Sequence, residues 1–62
     1  MYNVKYSPVV NAYRVYLFNN KLTDYDVSIF LGYCTYNHFD RKIDAVIIKN
    51  QLNRLHSKYY TM

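Results

Sequence analysis

Apolar positions along this chain fall at helical intervals in three places, and polar capping residues stand before each. Val9, Ala12, Tyr13, Tyr16 and Leu17 share one face at helix spacing. Ser7 precedes them as a cap, and Pro8 suits a first helical position because its missing N–H is not needed there. The pattern predicts a helix from Pro8 to about Phe18, stopped at Asn19-Asn20, since Asn tolerates the left-handed backbone of a helix end.

The second start is Leu22-Thr23-Asp24-Tyr25-Asp26. Thr23 can cap, and Asp26 takes the place of the Glu in a capping box. Leu22 and Val27 occupy the two positions of a hydrophobic staple. Both aspartates suit the positive end of the helix dipole. Val27, Phe30 and Leu31 form the apolar face, and Gly32 ends the helix because it takes positive φ without strain.

Thr35 can cap a third helix running from about Tyr36 to Lys58. Its early stripe, Tyr36, Phe39, Ile43, Val46 and Ile47, is the face expected to enter the core. A later stripe, Ala45, Ile48, Leu52, Leu55 and Tyr59, lies nearly opposite and has heptad spacing, which suggests a dimer seam. The N-terminal alternation of Tyr2, Val4 and Tyr6 offers another cover for that stripe. The expected fold is therefore all-α, a three-helix helix-turn-helix domain with an extended C-terminal helix. The rival is a small α+β protein, a β-hairpin plus a C-terminal helix. In that reading the β-formers of Tyr13 to Phe18 make a strand, Asn19-Asn20 turns, and Tyr25 to Tyr36 returns. The two capping signals favour the helical reading.

Between Val27 and Ile43 the order is apolar helix, glycine turn, then a polar and basic helix start. A helix-turn-helix presents its recognition helix to the DNA major groove in this order. Phe39 and Ile43 would face inward, leaving Asn37, His38, Arg41 and Lys42 outward. Arg41 could pair with guanine or a phosphate, Asn37 could read adenine and Lys42 could hold a phosphate.

Val27-Ser28, Gly32-Tyr33, His38-Phe39, Arg41 and Ile43 resemble, in their intervals, the helix-turn-helix of AraC/XylS-type transcription regulators. Ser28 and Ile43 stand where that family has Ala and Phe. The resemblance spans residues 22–43 and implies that Tyr36, Asn37, His38 and Arg41 face the groove. Thr35 and Lys42 complete the expected DNA-binding set.

Composition limits the other possibilities. Sixty-two residues make a single small domain, 1–62, with a modest core, so oligomerisation is an expectation. The net charge of +4 and pI of about 9.3 favour an anionic partner. Nine tyrosines supply apolar faces with polar tips, suited equally to half-buried cores and to protein interfaces. The abundance of Tyr, Asn, Lys and Ile also fits AT-rich codons, as in many short phage and plasmid proteins.

Cys34 is the sole cysteine, so no internal disulfide forms, and a reducing cytoplasmic setting is expected. The first residues lack the apolar core of a signal peptide, and Val27 to Tyr36 is too short to span a bilayer. Cys34, His38 and Asp40 contain the residue types of a nucleophilic triad without an arrangement that aligns them. His38 and His56 lack zinc-ligand spacing, and Gly32, the single glycine, makes no phosphate loop. No catalysis, cofactor, metal or small-molecule substrate is expected.

The functional expectation is a nucleoid-associated homodimer binding double-stranded DNA, as a transcriptional regulator or recombination accessory factor. The competing expectation is an inhibitor or adaptor that docks on a host protein through its tyrosine-rich surface.

Overall fold

Alternation, not helical spacing, governs the first third of the chain. A computed structural model describes residues 2–60, with side chains to His56. It contains strands β1 (Tyr2–Ser7), β2 (Ala12–Leu17) and β3 (Asn20–Lys21), then helices α1 (Asp24–Leu31) and α2 (Lys42–Tyr60). The strands form an antiparallel sheet in the order β1-β2-β3, with Val4 opposite Val15 and Lys5 opposite Arg14. The expected all-α fold is thereby overturned: this is a small α+β fold whose C-terminal helix packs on the sheet.

The physical reason lies in residues 12–17. Tyr13, Val15 and Tyr16 favour a pleated surface. Val15 and Leu17 pack on the core from one face, while Arg14 and Tyr16 take the other. The residues that suggested a helix stripe are divided between the two sheet faces and the turn. Pro8, read as a helix opener, instead begins the 8–11 turn, a use for which its fixed φ is equally suited. Asn11 leaves that turn at φ 54°, the left-handed region that Asn tolerates. Phe18-Asn19 joins β2 to β3, with Phe18 at φ 57°, the handedness a two-residue hairpin requires.

From Leu22 to Gly32 the sequence signals are realised. Thr23 Oγ1 accepts from the Asp26 N–H at 3.0 Å, and Asp26 Oδ2 accepts from the Thr23 N–H at 3.1 Å, which closes the capping box. Leu22 and Val27 are both buried in the same cluster, as a staple requires. Gly32 caps α1 at φ 85°, its N–H donating to the Ser28 carbonyl at 2.8 Å.

The third helix starts later than its periodicity suggested. Residues 33–41 are not helical, and α2 opens at Lys42. Extended backbone here completes the free edge of β2, which a helix could not do. Tyr13 and Phe39 exchange backbone hydrogen bonds of 2.8 and 2.9 Å. Val15 is satisfied by the Asn37 side chain, and β3 covers Tyr16 and Leu17. Unpaired edge groups are thus closed by three short devices in a row.

The two stripes of α2 exchange roles. Ala45 and Leu52 are fully buried and Ile48 packs against the core, whereas Ile43 and Ile47 of the early stripe are half exposed. The expected dimer seam therefore faces this chain's own sheet, and the N-terminal strand is its cover. Tyr2, buried, donates its N–H to Asn53 Oδ1 at 3.0 Å, and its hydroxyl lies 2.6 Å from His56 Nδ1. Leu55 is half exposed beside Leu31 and Tyr33, and the side chain of Tyr59 lies outside the described residues. The core comprises Tyr2, Val15, Leu22, Val27 and Leu52, ringed by partly buried residues that include Val4, Leu17 and Phe30.

Candidate nucleic-acid face and the tyrosine groove

The sheet has an inner face against α2 and an outer face. Register places Asn3 opposite Tyr16, Lys5 opposite Arg14 and Tyr16 opposite Lys21, all on the outer face. Lys5 and Lys21 are exposed, and Arg14 and Tyr16 are half-buried. Lys5 Nζ sits 5.1 Å from the centroid of the Tyr16 ring and donates to Asn19 Oδ1 at 3.5 Å. Arg14 Nε is buried without a hydrogen-bond partner.

Two cations directly opposite one another on neighbouring strands repel. No Asp or Glu precedes Asp24 in the chain, so the strands contribute no carboxylate to offset Lys5, Arg14 and Lys21. The face is a basic patch to which the strands bring no carboxylate, and it carries the Tyr16 ring beside Lys5. Towards the 8–11 turn it gives way to the small buried residues Ser7 and Ala12.

The residues expected to read DNA do not form one helix face, because all but Lys42 precede α2 and Asn37 is buried. Asn37 is 1% exposed and points into the protein. Its Oδ1 accepts from Val15 N–H, and its amide donates to the Val15 and Leu22 carbonyls at 2.9 and 2.6 Å. It cannot read adenine from there, and its role is structural. Thr35 is tied to α1: its N–H donates to Ser28 Oγ at 3.0 Å, and the Ser28 hydroxyl donates to the Thr35 carbonyl at 3.1 Å. Tyr36 and His38 are exposed with their rings 5.3 Å apart. Arg41 and Lys42 are exposed at the head of α2. No helix joins these residues, so the recognition helix of the expected helix-turn-helix does not form. The cations that do share a face, Lys5, Arg14 and Lys21, all lie before the segment 22–43 expected to carry DNA binding. The signal that finds them is alternation about a turn: Lys5 and Arg14 become opposite once 8–11 is taken as a hairpin loop.

A second surface feature lies on the side of α1 away from the core. Tyr25 and Ile29, one turn apart on α1, and Tyr33 and Tyr36 from the following loop line an open groove of about 810 Å³, with Asp24 and Cys34. The Tyr33 hydroxyl donates to Gln51 Oε1 at 2.9 Å, which fixes the loop to α2. Asp24 Oδ1 accepts from the Asn37 N–H at 2.7 Å.

Among the described residues no group of His, Cys, Asp or Glu is placed to hold a metal ion, and no helix is long and apolar enough to cross a membrane. Compared with protein-family models, curated proteins and solved structures, the chain matches none.

Proposed function

We propose that the protein binds double-stranded DNA through the outer face of its sheet. The observation that carries this reading is the convergence of Lys5, Arg14 and Lys21 around Tyr16 on strands without a carboxylate. Phosphate supplies the missing counter-charge, and displaced counterions supply the driving force. The dimensions also suit a duplex. Over most of its length the sheet is the two-stranded ribbon of β1 and β2, the form that a major groove about 12 Å wide admits, with β3 adding two residues at one end. β-Ribbons are an established alternative to helices for entering that groove. Lys5 and Lys21 flank the central strand and would reach the two phosphate backbones. Arg14 and Asn3 would approach base edges, where a guanidinium can pair with guanine.

The test is fluorescence anisotropy with a random-sequence duplex across a salt series. Neutralising three phosphates predicts a slope of log K against log salt of about −2.7. A variant carrying Lys5→Gln, Arg14→Gln and Lys21→Gln should lose most of that binding and flatten the slope. Absence of binding at low salt, or a triple variant that binds like the parent, overturns the reading.

A further inference from the structure

Charge is segregated along this chain. Lys5, Arg14 and Lys21 precede Leu22, and Arg41, Lys42, Lys49, Arg54 and Lys58 follow Asp40. Between Leu22 and Asp40 there is no Lys or Arg, and Asp24, Asp26 and Asp40 make the segment acidic within a protein of net charge +4. This same segment builds the tyrosine groove. Tyr25 is 73% exposed, Ile29 58%, Tyr33 50% and Tyr36 67%. So much apolar surface gathered in one concavity marks an interaction site.

We propose that this groove docks a basic peptide segment of a partner protein, one that presents an Arg or Lys beside an aliphatic side chain. The aliphatic side chain would cover Ile29 and the tyrosine edges. The cation would lie over a tyrosine face with Asp24 at its side, where ring quadrupole and carboxylate both attract it. The chain already forms such a contact internally, Lys5 over Tyr16.

Charge separates this occupant from the others. Asp24 is the one charged residue among the described residues that line the groove, and its carboxylate disfavours phosphate and anionic lipid headgroups there. The concavity is also pre-formed. The reciprocal hydrogen bonds between Ser28 and Thr35 and the Tyr33–Gln51 bond hold the loop against the helices, which lowers the ordering cost of binding. Enrichment in tyrosine, with few rotatable bonds and a polar tip, suits such a contact. The inference concerns a different surface from the DNA reading and stands or falls independently of it.

The experiment is an amide chemical-shift titration of the whole chain with a synthetic Ser/Gly peptide carrying Leu-Arg-Leu steps, paired with the same peptide carrying Glu for Arg. The Arg peptide should shift Tyr25, Ile29, Tyr33 and Tyr36, and the Glu peptide should not. The variant Tyr25→Ala with Ile29→Ser should weaken binding about tenfold or more, and Tyr36→Ala, made separately, should weaken it too. Both α1 side chains are exposed, so an unchanged thermal transition verifies the fold of the variants. Equal response to the two peptides, shifts confined to the sheet, or no response at millimolar peptide overturns the proposal. Shifts of the same residues that grow with protein concentration alone, without response to peptide, overturn it in favour of a second copy as the occupant.

Discussion

The Asn37 side chain holds both backbone polar groups of Val15, accepting from its N–H at 2.8 Å and donating to its carbonyl at 2.9 Å. It acts as one residue's worth of neighbouring strand where β3 does not reach. Truncation leaves the Val15 N–H and the Val15 and Leu22 carbonyls without this partner in a buried site. Asn37→Ala should therefore cost about 3 kcal/mol, and Asn37→Asp should also destabilise, because it sets carboxylate oxygen against carbonyl oxygen. Urea denaturation measures both. For a domain of this size such a loss approaches the whole stability, so a missing cooperative transition is an expected form of the result. A cost below about 1 kcal/mol would show that water replaces the amide freely.

That contact also explains how the sequence misleads. Asn37 stands in a run that reads as a helix opening, and nothing local distinguishes an Asn aimed at solvent from one aimed at a distant strand. Its partners lie at Val15 and Leu22, and the pairing of Phe39 with Tyr13 is equally remote. Signals carried by neighbouring residues were legible: Thr23 with Asp26, Leu22 with Val27, and Gly32 at positive φ all do what their types suggest. The rival reading places a strand over Tyr13 to Phe18, close to β2, but pairs it with Tyr25 to Tyr36, which folds as α1 and loop; the hairpin of β1 with β2 is hidden because Ser7-Pro8 opens a helix and a turn equally well. Which stripe of α2 is buried could not be read either, since both are apolar and the choice depends on where Tyr2 and Val15 lie. The basic face follows the same rule, for Lys5 and Arg14 become neighbours only through strand register.

The register of α2 has a direct test. Leu52 is fully buried, and Ile47, on the opposite side, is half exposed. Leu52→Ala should cost about 3 kcal/mol through lost burial and a residual cavity, whereas Ile47→Ala should cost less than about 1 kcal/mol. Ile48→Asp should unfold the chain, with no folded monomer released from a dimer, because Ile48 packs on its own core. Denaturation paired with sedimentation separates these outcomes. A folded, lighter species from Ile48→Asp would restore the stripe as a subunit seam.

Phe18 holds φ 57° and is 60% exposed. A bulky L-residue pays about 1 kcal/mol for that conformation, and an exposed ring recovers little of it by packing. Phe18→Asn keeps the turn with a residue that tolerates positive φ. Stability should rise by about 0.5 kcal/mol, or a few degrees in thermal midpoint. A lower midpoint would mean that the ring makes a stabilising contact in solution.

Lys5 faces Arg14 across the β1–β2 ladder, and the same two cations anchor the proposed DNA face. A purely structural surface would avoid this opposition, so a change that relieves it should separate folding from binding. Lys5→Glu replaces a repulsive cross-strand pair by an attractive one, a gain of up to about 1 kcal/mol. It also removes the cation from the Tyr16 ring, a loss of about 0.5 kcal/mol at an exposed site. The net effect on stability should be small and favourable, with the thermal midpoint equal to or above that of the parent in low salt. Added salt should then raise the parent's midpoint relative to the variant's, because screening relieves repulsion in one and weakens attraction in the other. Binding to duplex DNA should move the opposite way, falling at least about tenfold at low salt, with the salt slope shallower by about one. Thermal unfolding and anisotropy on the same two proteins make the comparison. A variant that is as stable as the parent and binds DNA as tightly would remove Lys5 from the interface, and with it the argument that the outer face of the sheet is where DNA lies.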